Sequence, residues 1–179
     1  MGTRVGAAEA RVVAAVRAAV IAHEARDGRE ARSRRLIVAV LDTLPHPFDR
    51  NAAATHLTAS AIVAGPRGTV LHMHKRMRAW LQPGGHVEGG EGPWDTVLRE
   101  TVEETGLVVR HPAGGPRLLH LDAHRAGPHM HLDLRYLLEA DDGEPAPAPG
   151  ESPEVRWFGW DEALRVTDGS CRTALRWAR

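Results

Sequence analysis

Gly85-His86-Val87-Glu88-Gly89-Gly90-Glu91, then seven residues, then Arg99-Glu100-Thr101-Val102-Glu103-Glu104-Thr105-Gly106-Leu107, is the stretch on which the reading of this chain turns. At about 100° per residue, Glu100, Glu103 and Glu104 occupy positions i, i+3 and i+4 of a helix and converge on one face. Like charges at that spacing repel, and the cost grows near a helix C-terminus, where the backbone dipole favours cations. Hard divalent ions such as Mg²⁺, or Mn²⁺ in its place, take oxygen ligands and keep several waters. The spacing therefore predicts a metal platform with Glu100, Glu103 and Glu104 as ligands. A solvated helix face would explain the charge, but not the glycine frame or Arg99.

Trp94, Val97, Leu98, Thr101 and Thr105 recur at helical spacing on the other side and predict packing onto a core. Pro93 suits a first turn and Gly106 a left-handed cap, so the helix is expected over 93–105. Arg99 lies four residues before Glu103 and is within reach of Glu91 from the glycine-rich loop. Its guanidinium is expected to orient those carboxylates rather than to ligate.

These residues resemble the signature of the Nudix hydrolases, G-x5-E-x7-R-E-U-x-E-E-x-G-U, where U is bulky and aliphatic. Every fixed position is present over the 23 residues, and the one departure is Thr101 at a U position, where a small packing effect is expected. The resemblance implies an α/β fold, a Nudix-type α/β/α sandwich with a mixed sheet. It also implies Mg²⁺-dependent hydrolysis of a diphosphate bond in a nucleotide, or in a nucleoside diphosphate linked to another moiety. In the resembling family the Glu91 position is a ligand, an arginine partner or both.

Composition is consistent with one catalytic domain carrying an extension. The chain has 179 residues, with 23 basic and 23 acidic side chains, so no general attraction to nucleic acid or anionic membrane is expected. Its single cysteine, Cys171, excludes an intrachain disulfide and a cysteine-based metal site, and is compatible with a cytoplasmic location. The apolar segment Val12 to Ile21 is broken by Arg17 and lacks a cleavage pattern, so neither secretion nor a membrane span is expected. Val12, Val13, Val16 and Val20 form one helical stripe, and Leu36, Ile37, Val40, Leu41 and Leu44 a second that stops before Pro45. Residues 1–46 are thus read as an N-terminal helical extension, a candidate dimer contact or groove cap, and 47–179 as the catalytic domain. The arginine-rich stretch 26–35 is read as a solvated helix junction.

Strand character begins at His56 and is read over 56–64, 69–74, 107–110, 118–123, 129–138 and 155–160, with helices at 161–166 and near the C-terminus. Gly143 to Pro153 reads as a surface loop. On the alternating run from His129, the side chains of His129, His131, Asp133 and Arg135 share one face, while Met130, Leu132, Leu134 and Tyr136 face the core. That polar row predicts a substrate groove, with Arg135 on a phosphate, His131 bonding a ring or sugar, and Gly85 and His86 at the glycine loop. The eleven histidines also raise a histidine-ligated transition-metal site, whose full ligand set the spacing leaves open.

Residues 80–86, with Thr58-Ala59-Ser60, are similar to a bacterial Nudix subgroup, and Trp80 is a candidate for stacking on a base. The sequence lacks the proline, tyrosine and Ser-Gln-Pro-Trp features of the ADP-sugar, dinucleoside polyphosphate and NADH branches, so the substrate stays open to a nucleotide or other small diphosphate. The implied mechanism is attack by an activated water, with Glu103, Glu104, Glu91, Glu151 or Glu154 as candidate base and Glu103 favoured. Two other readings are a catalytically idle nucleotide sensor and a diphosphate isomerase. The complete acidic cluster argues against the first. The position of Cys171 in a C-terminal helix argues against the second.

Overall fold

The computed structural model describes residues 6–179. Its centre is a parallel pair, β1 (Thr55–Gly65) and β7 (His129–Ala140), aligned from Thr55↔Met130 to Ala64↔Glu139. The mixed sheet runs β3-β2-β1-β7-β5 from β3 (Ala79–Leu81) and β2 (Gly68–His74) to β5 (Val109–Arg110). β4 (Gly84–His86) pairs with β1, β6 (Arg117–Ala126) with β7, and β8 (Val155–Phe158) with β2.

Alternation along β1 and β7 divides the packing. Leu57, Ala59, Ala61 and Val63, with Leu132, Leu134, Tyr136 and Leu138, form a core shared with Val16 and Val20 of α1 (Ala7–Ala22). Ile37 and Leu41 of α2 (Gly28–Thr43) and Val97 of α3 (Pro93–Thr105) close that core. Ile62, Leu71, Leu119, Leu137 and Phe158 build a second core with Ala163 of α4 (Trp160–Val166) and Ala174 and Leu175 of α5 (Gly169–Ala178). The α/β sandwich with N-terminal helices is thus the architecture of the protein, and the helical pair is packed into the sheet's own core.

α2 starts earlier than the apolar stripe indicates. Asp27 caps it by accepting from the Glu30 N–H at 2.8 Å, and the helix takes in the arginine-rich stretch read as a junction. Polar groups occupy its buried side there. The Glu30 carboxylate accepts from the backbone N–H of Arg26 and of Leu121 at 2.7 and 3.0 Å, and lies 2.6 Å from His23. Arg34 donates to the carbonyls of Val20, at 2.8 Å, and Ile21, closing the C-terminus of α1. No helix among the described residues is long and apolar enough to cross a membrane.

Candidate active site

α3 spans the residues its periodicity predicts. Val97, Thr101 and Thr105 are fully buried, and Gly106 ends the helix at φ 70°, where a Cβ would stand 2.0 Å from the Ala146 carbonyl oxygen. That close approach has a purpose. The loop after β7 lies on the end of α3, with the N–H of Ala146 and of Ala148 donating to the carbonyls of Thr105 and Glu103 at 2.8 Å each. Carbonyls that a helix end leaves unpaired are thereby satisfied. The same loop carries Glu151 close enough to act electrostatically on Glu100 and Glu104.

One arginine gathers the acidic residues. Arg99 donates to both oxygens of Glu91, at 2.8 and 3.1 Å, to Glu100 at 2.9 Å, to Glu103 at 3.3 Å and to the His86 carbonyl at 3.2 Å. Thr96 holds Glu91 from the other side at 3.0 Å. β4 supplies the second support. The Gly84 N–H donates to Glu104 at 2.8 Å, and a Cβ on Gly85 would stand 2.2 Å from a Glu100 oxygen. Gly85 therefore lets the backbone approach Glu100 directly, while Gly84 lets β4 lie close against Ala59 and Ser60 of β1.

The charge is left unbalanced. Burial pushes Glu104 up to about 8, with Glu100, Glu151 and Glu103 adding repulsion beyond what the Gly84 bond relieves. Burial also raises Glu100, against the pull of Arg99. Glu91 is held below the usual carboxylate range by its bonds from Arg99, against its burial. Glu103 is the most exposed of the three helix carboxylates, at 46 % against 17 % for Glu100 and 13 % for Glu104. A donor set made of carboxylate oxygens, two of them raised by burial and crowding, fits a hard divalent cation.

Beside this cluster lies a groove of about 780 Å³, walled by Ala8, Glu9 and Val12 of α1, by residues 46, 48–51 and 85–91, and by Glu100. The site residues read from the sequence distribute unevenly around it. Gly85, His86, Glu91 and Glu100 line the groove, and Glu103 and Glu104 are joined to it through Arg99 and β4. His131 lies behind His86, their rings 5.3 Å apart. Trp80 packs edge-on against Phe158 at 4.9 Å in the second core, with Arg156 over its ring, and does not line the groove.

Arg135 is 2 % exposed. It donates to Asp133 at 2.9 Å and meets Asp122 at 3.5 Å and His120 at 3.3 Å, while Thr58 and Ser60 donate to Asp133 at 3.0 and 2.6 Å. Its guanidinium is committed to carboxylates inside the protein. The phosphate role expected of it has no open face, because β6 places Asp122 directly beside Asp133. Burial would raise Asp122, but the His124 bond and the field of Arg135 leave it well below the usual range.

The sequence reading missed Glu9, His46, Asp49 and Arg50 on the groove wall. Only the fold brings α1 and the residues before β1 to the glycine loop. It also missed His56, fully buried beside His86 and His131. Strand alternation places His56 on the polar side of β1, which was a usable signal, but the parallel register His56↔His131 is not legible from one strand. Burial lowers the pKa of His56 and His86, and that of His131 to about 4.

A family model described as NUDIX domain matches residues 54–177. The chain is 34 % identical over 93 residues to a probable DHNTP pyrophosphohydrolase of Lactococcus lactis, covering 49 % of this chain and 56 % of that protein. It is 46 % identical over 44 residues to an uncharacterised Nudix hydrolase of Bacillus subtilis, covering 24 % and 28 %. The matches thus span little more than half, or less, of these curated relatives. Among solved structures, a NUDIX-family hydrolase from Clostridium perfringens superposes with a TM-score of 0.58 at 26 % identity, covering 69 % of this chain and 93 % of that one. The NUDIX domain of Shewanella oneidensis NrtR, complexed with ADP ribose, shares the fold at 19 % identity and a TM-score of 0.59, covering 73 % and 90 %.

Proposed function

Because the chain belongs to the NUDIX family, we propose that it is a divalent-metal-dependent pyrophosphohydrolase, cleaving a diphosphate bond in a nucleotide or in a nucleoside diphosphate linked to another moiety. The observation that carries this reading is the convergence of Glu91, Glu100 and Glu103 on Arg99, with Glu104 held by the Gly84 N–H beside an open groove. Such an arrangement costs folding energy that a bound cation would offset. Glu100, Glu103 and Glu104 would hold Mg²⁺, or Mn²⁺ in its place. The ion, when bound, supplies charge neutralisation for the diphosphate and acidifies water.

The protein's own residues do the rest. Water attacks phosphorus, the P–O bond to the bridging oxygen breaks, and the water's proton passes to a carboxylate. Glu103 is assigned that role because it is the most solvent-accessible of the three helix carboxylates, and Glu151 is the second candidate, brought near by the loop docked on α3. Arg99 and Glu91 are positioning residues that fix Glu100 and Glu103. Gly85 and His86 form the groove wall against which the substrate lies, and Arg50, which also lines the groove, offers a cation to its phosphates. α1 closes one side of the groove with Ala8, Glu9 and Val12.

The test is release of phosphate or pyrophosphate from nucleoside triphosphates, pterin and damaged nucleotides, nucleotide sugars and dinucleoside polyphosphates, with Mg²⁺, Mn²⁺ or EDTA. Metal-dependent turnover of one compound, lost in Glu103→Gln, is expected. Turnover that survives EDTA, or that Glu103→Gln leaves intact, would overturn the reading. Nucleotide binding without any turnover would favour a sensor.

A further inference from the structure

On the polar side of the β1–β7 pair, one ring nitrogen from each of His56, His86 and His131 falls within 4.8 Å of the other two. Three separate strands supply them, β1, β4 and β7, in the register His56↔His131 and Thr58↔His86. The rings pack at 5.0–5.3 Å from one another, which fills the space but provides no hydrogen-bond partner. His56 makes the need for one explicit. Its Nδ1 lies 3.3 Å from the Ala53 carbonyl oxygen and its Nε2, fully buried, has no partner. A neutral ring donating from Nδ1 to a carbonyl presents its lone pair at Nε2, the arrangement that outer partners impose on metal-ligating histidine.

We propose that His56, His86 and His131 form a second metal site, for a borderline divalent transition cation of the Zn²⁺ class, separate from the carboxylate platform and tying β4 to the β1–β7 pair. An all-imidazole donor set suits Zn²⁺, Co²⁺ or Ni²⁺ and is a poor match for Mg²⁺. Bonds of about 2.0–2.1 Å at tetrahedral angles put ligand nitrogens roughly 3.3 Å apart, so the rings close by a small adjustment of side chains. Three protein ligands would leave a further position for water or another ligand, and of the three only His86 lines the groove. The surrounding charge is mixed. Asp49 and Asp133 favour a cation, at His56 and His131 respectively, while the exposed Arg50 and the neighbouring His129 and His124 oppose one.

The location gives the ion a consequence. β4 is three residues long, and it carries both Gly84, which holds Glu104, and the His86 carbonyl, which Arg99 grips. A cation on His86 would therefore fix the strand on which the carboxylate platform rests.

The test titrates the chelator-stripped full chain with Co²⁺ and then Zn²⁺, with Mg²⁺ in large excess to occupy the carboxylates. One equivalent of Co²⁺ with visible absorption of a low-coordinate nitrogen site, displaced by Zn²⁺, is expected, together with a rise in Tm. His86→Ala and His131→Ala should each weaken binding at least tenfold and abolish the rise, while Glu104→Gln leaves both in place. Because removing a buried histidine can impair folding, the Zn²⁺-loaded wild type is also measured by X-ray absorption, where imidazole scattering from about three histidines is expected. Binding lost in Glu104→Gln but kept in the histidine variants, an oxygen-only coordination shell, or no stoichiometric binding would each overturn the proposal.

Discussion

Two polar clusters in this protein use the same residue types to opposite ends. Around Arg135, the carboxylates of Asp122 and Asp133 meet the guanidiniums of Arg29 and Arg135, and Thr58, Ser60 and His124 take up further oxygen valences. Around Arg99, one guanidinium serves Glu91, Glu100 and Glu103, and Glu104 has only a backbone N–H and His72, at 3.6 Å. Burial acts on both. It is overcome at Asp122, which is lowered, and prevails at Glu104, which is raised. A balanced buried network is complete in itself and holds strands together. An unbalanced one beside a groove requires something from outside.

The contrast can be broken first where it is most costly. Asp133→Ala removes the carboxylate that pairs with Arg135 and leaves a buried cation exposed to neither water nor a full partner set; a loss of about 3–5 kcal/mol in urea unfolding is expected. A loss under about 1 kcal/mol would mean the network is not a structural clamp. At the platform the pattern reverses. Glu104→Gln should cut kcat by roughly 10²–10³-fold by impairing metal-assisted chemistry, measured as phosphate release, with little loss of stability. Unchanged turnover, or a protein that no longer folds, would remove the distinction.

The pH dependence sharpens it further. For Glu104 the unfolded carboxyl releases its proton near the ordinary 4.5 and the folded one at about 8, so between those values the folded state binds more protons. Its contribution is therefore full below pH 4.5 and is lost as pH rises toward 8. Metal-free protein is expected to lose stability across that window relative to Glu104→Gln in parallel melts, and a constant difference between the two would contradict the assignment. The smallest effect is expected at Thr101, whose hydroxyl donates to the Val97 carbonyl at 2.6 Å within the buried face of α3. Thr101→Val removes one hydroxyl hydrogen bond and should change stability by about 1 kcal/mol, leaving kcat unaltered. A large change in either would show that the hydroxyl supports the site.

What could be read beforehand follows the range of the interactions. α3 was legible to its ends because its signals are local: Pro93 at the start, Gly106 at the stop and a stripe at helical spacing. β7 was legible because alternation is local too. β3 and β4 were not, since three residues beside Pro83, Gly84 and Gly85 carry no periodicity, although β4 supports Glu100 and Glu104. Arg135 illustrates the limit of strand-face reasoning: its face was read, but Asp122 comes from the neighbouring strand. The groove wall from α1 and the meeting of His56 with His131 depend on packing and register that no single segment encodes.

The most direct measurement is the change in Tm on adding Mg²⁺ to metal-free wild type, Glu104→Gln and Asp133→Ala. Mg²⁺ should raise the wild-type Tm, and Glu104→Gln should abolish the rise while melting no lower than metal-free wild type. Asp133→Ala should melt far lower yet keep its Mg²⁺ response. A Glu104→Gln variant that retains the full Mg²⁺ shift, or that melts well below the metal-free wild type, would contradict the claim that the Arg99 cluster is built for a cation.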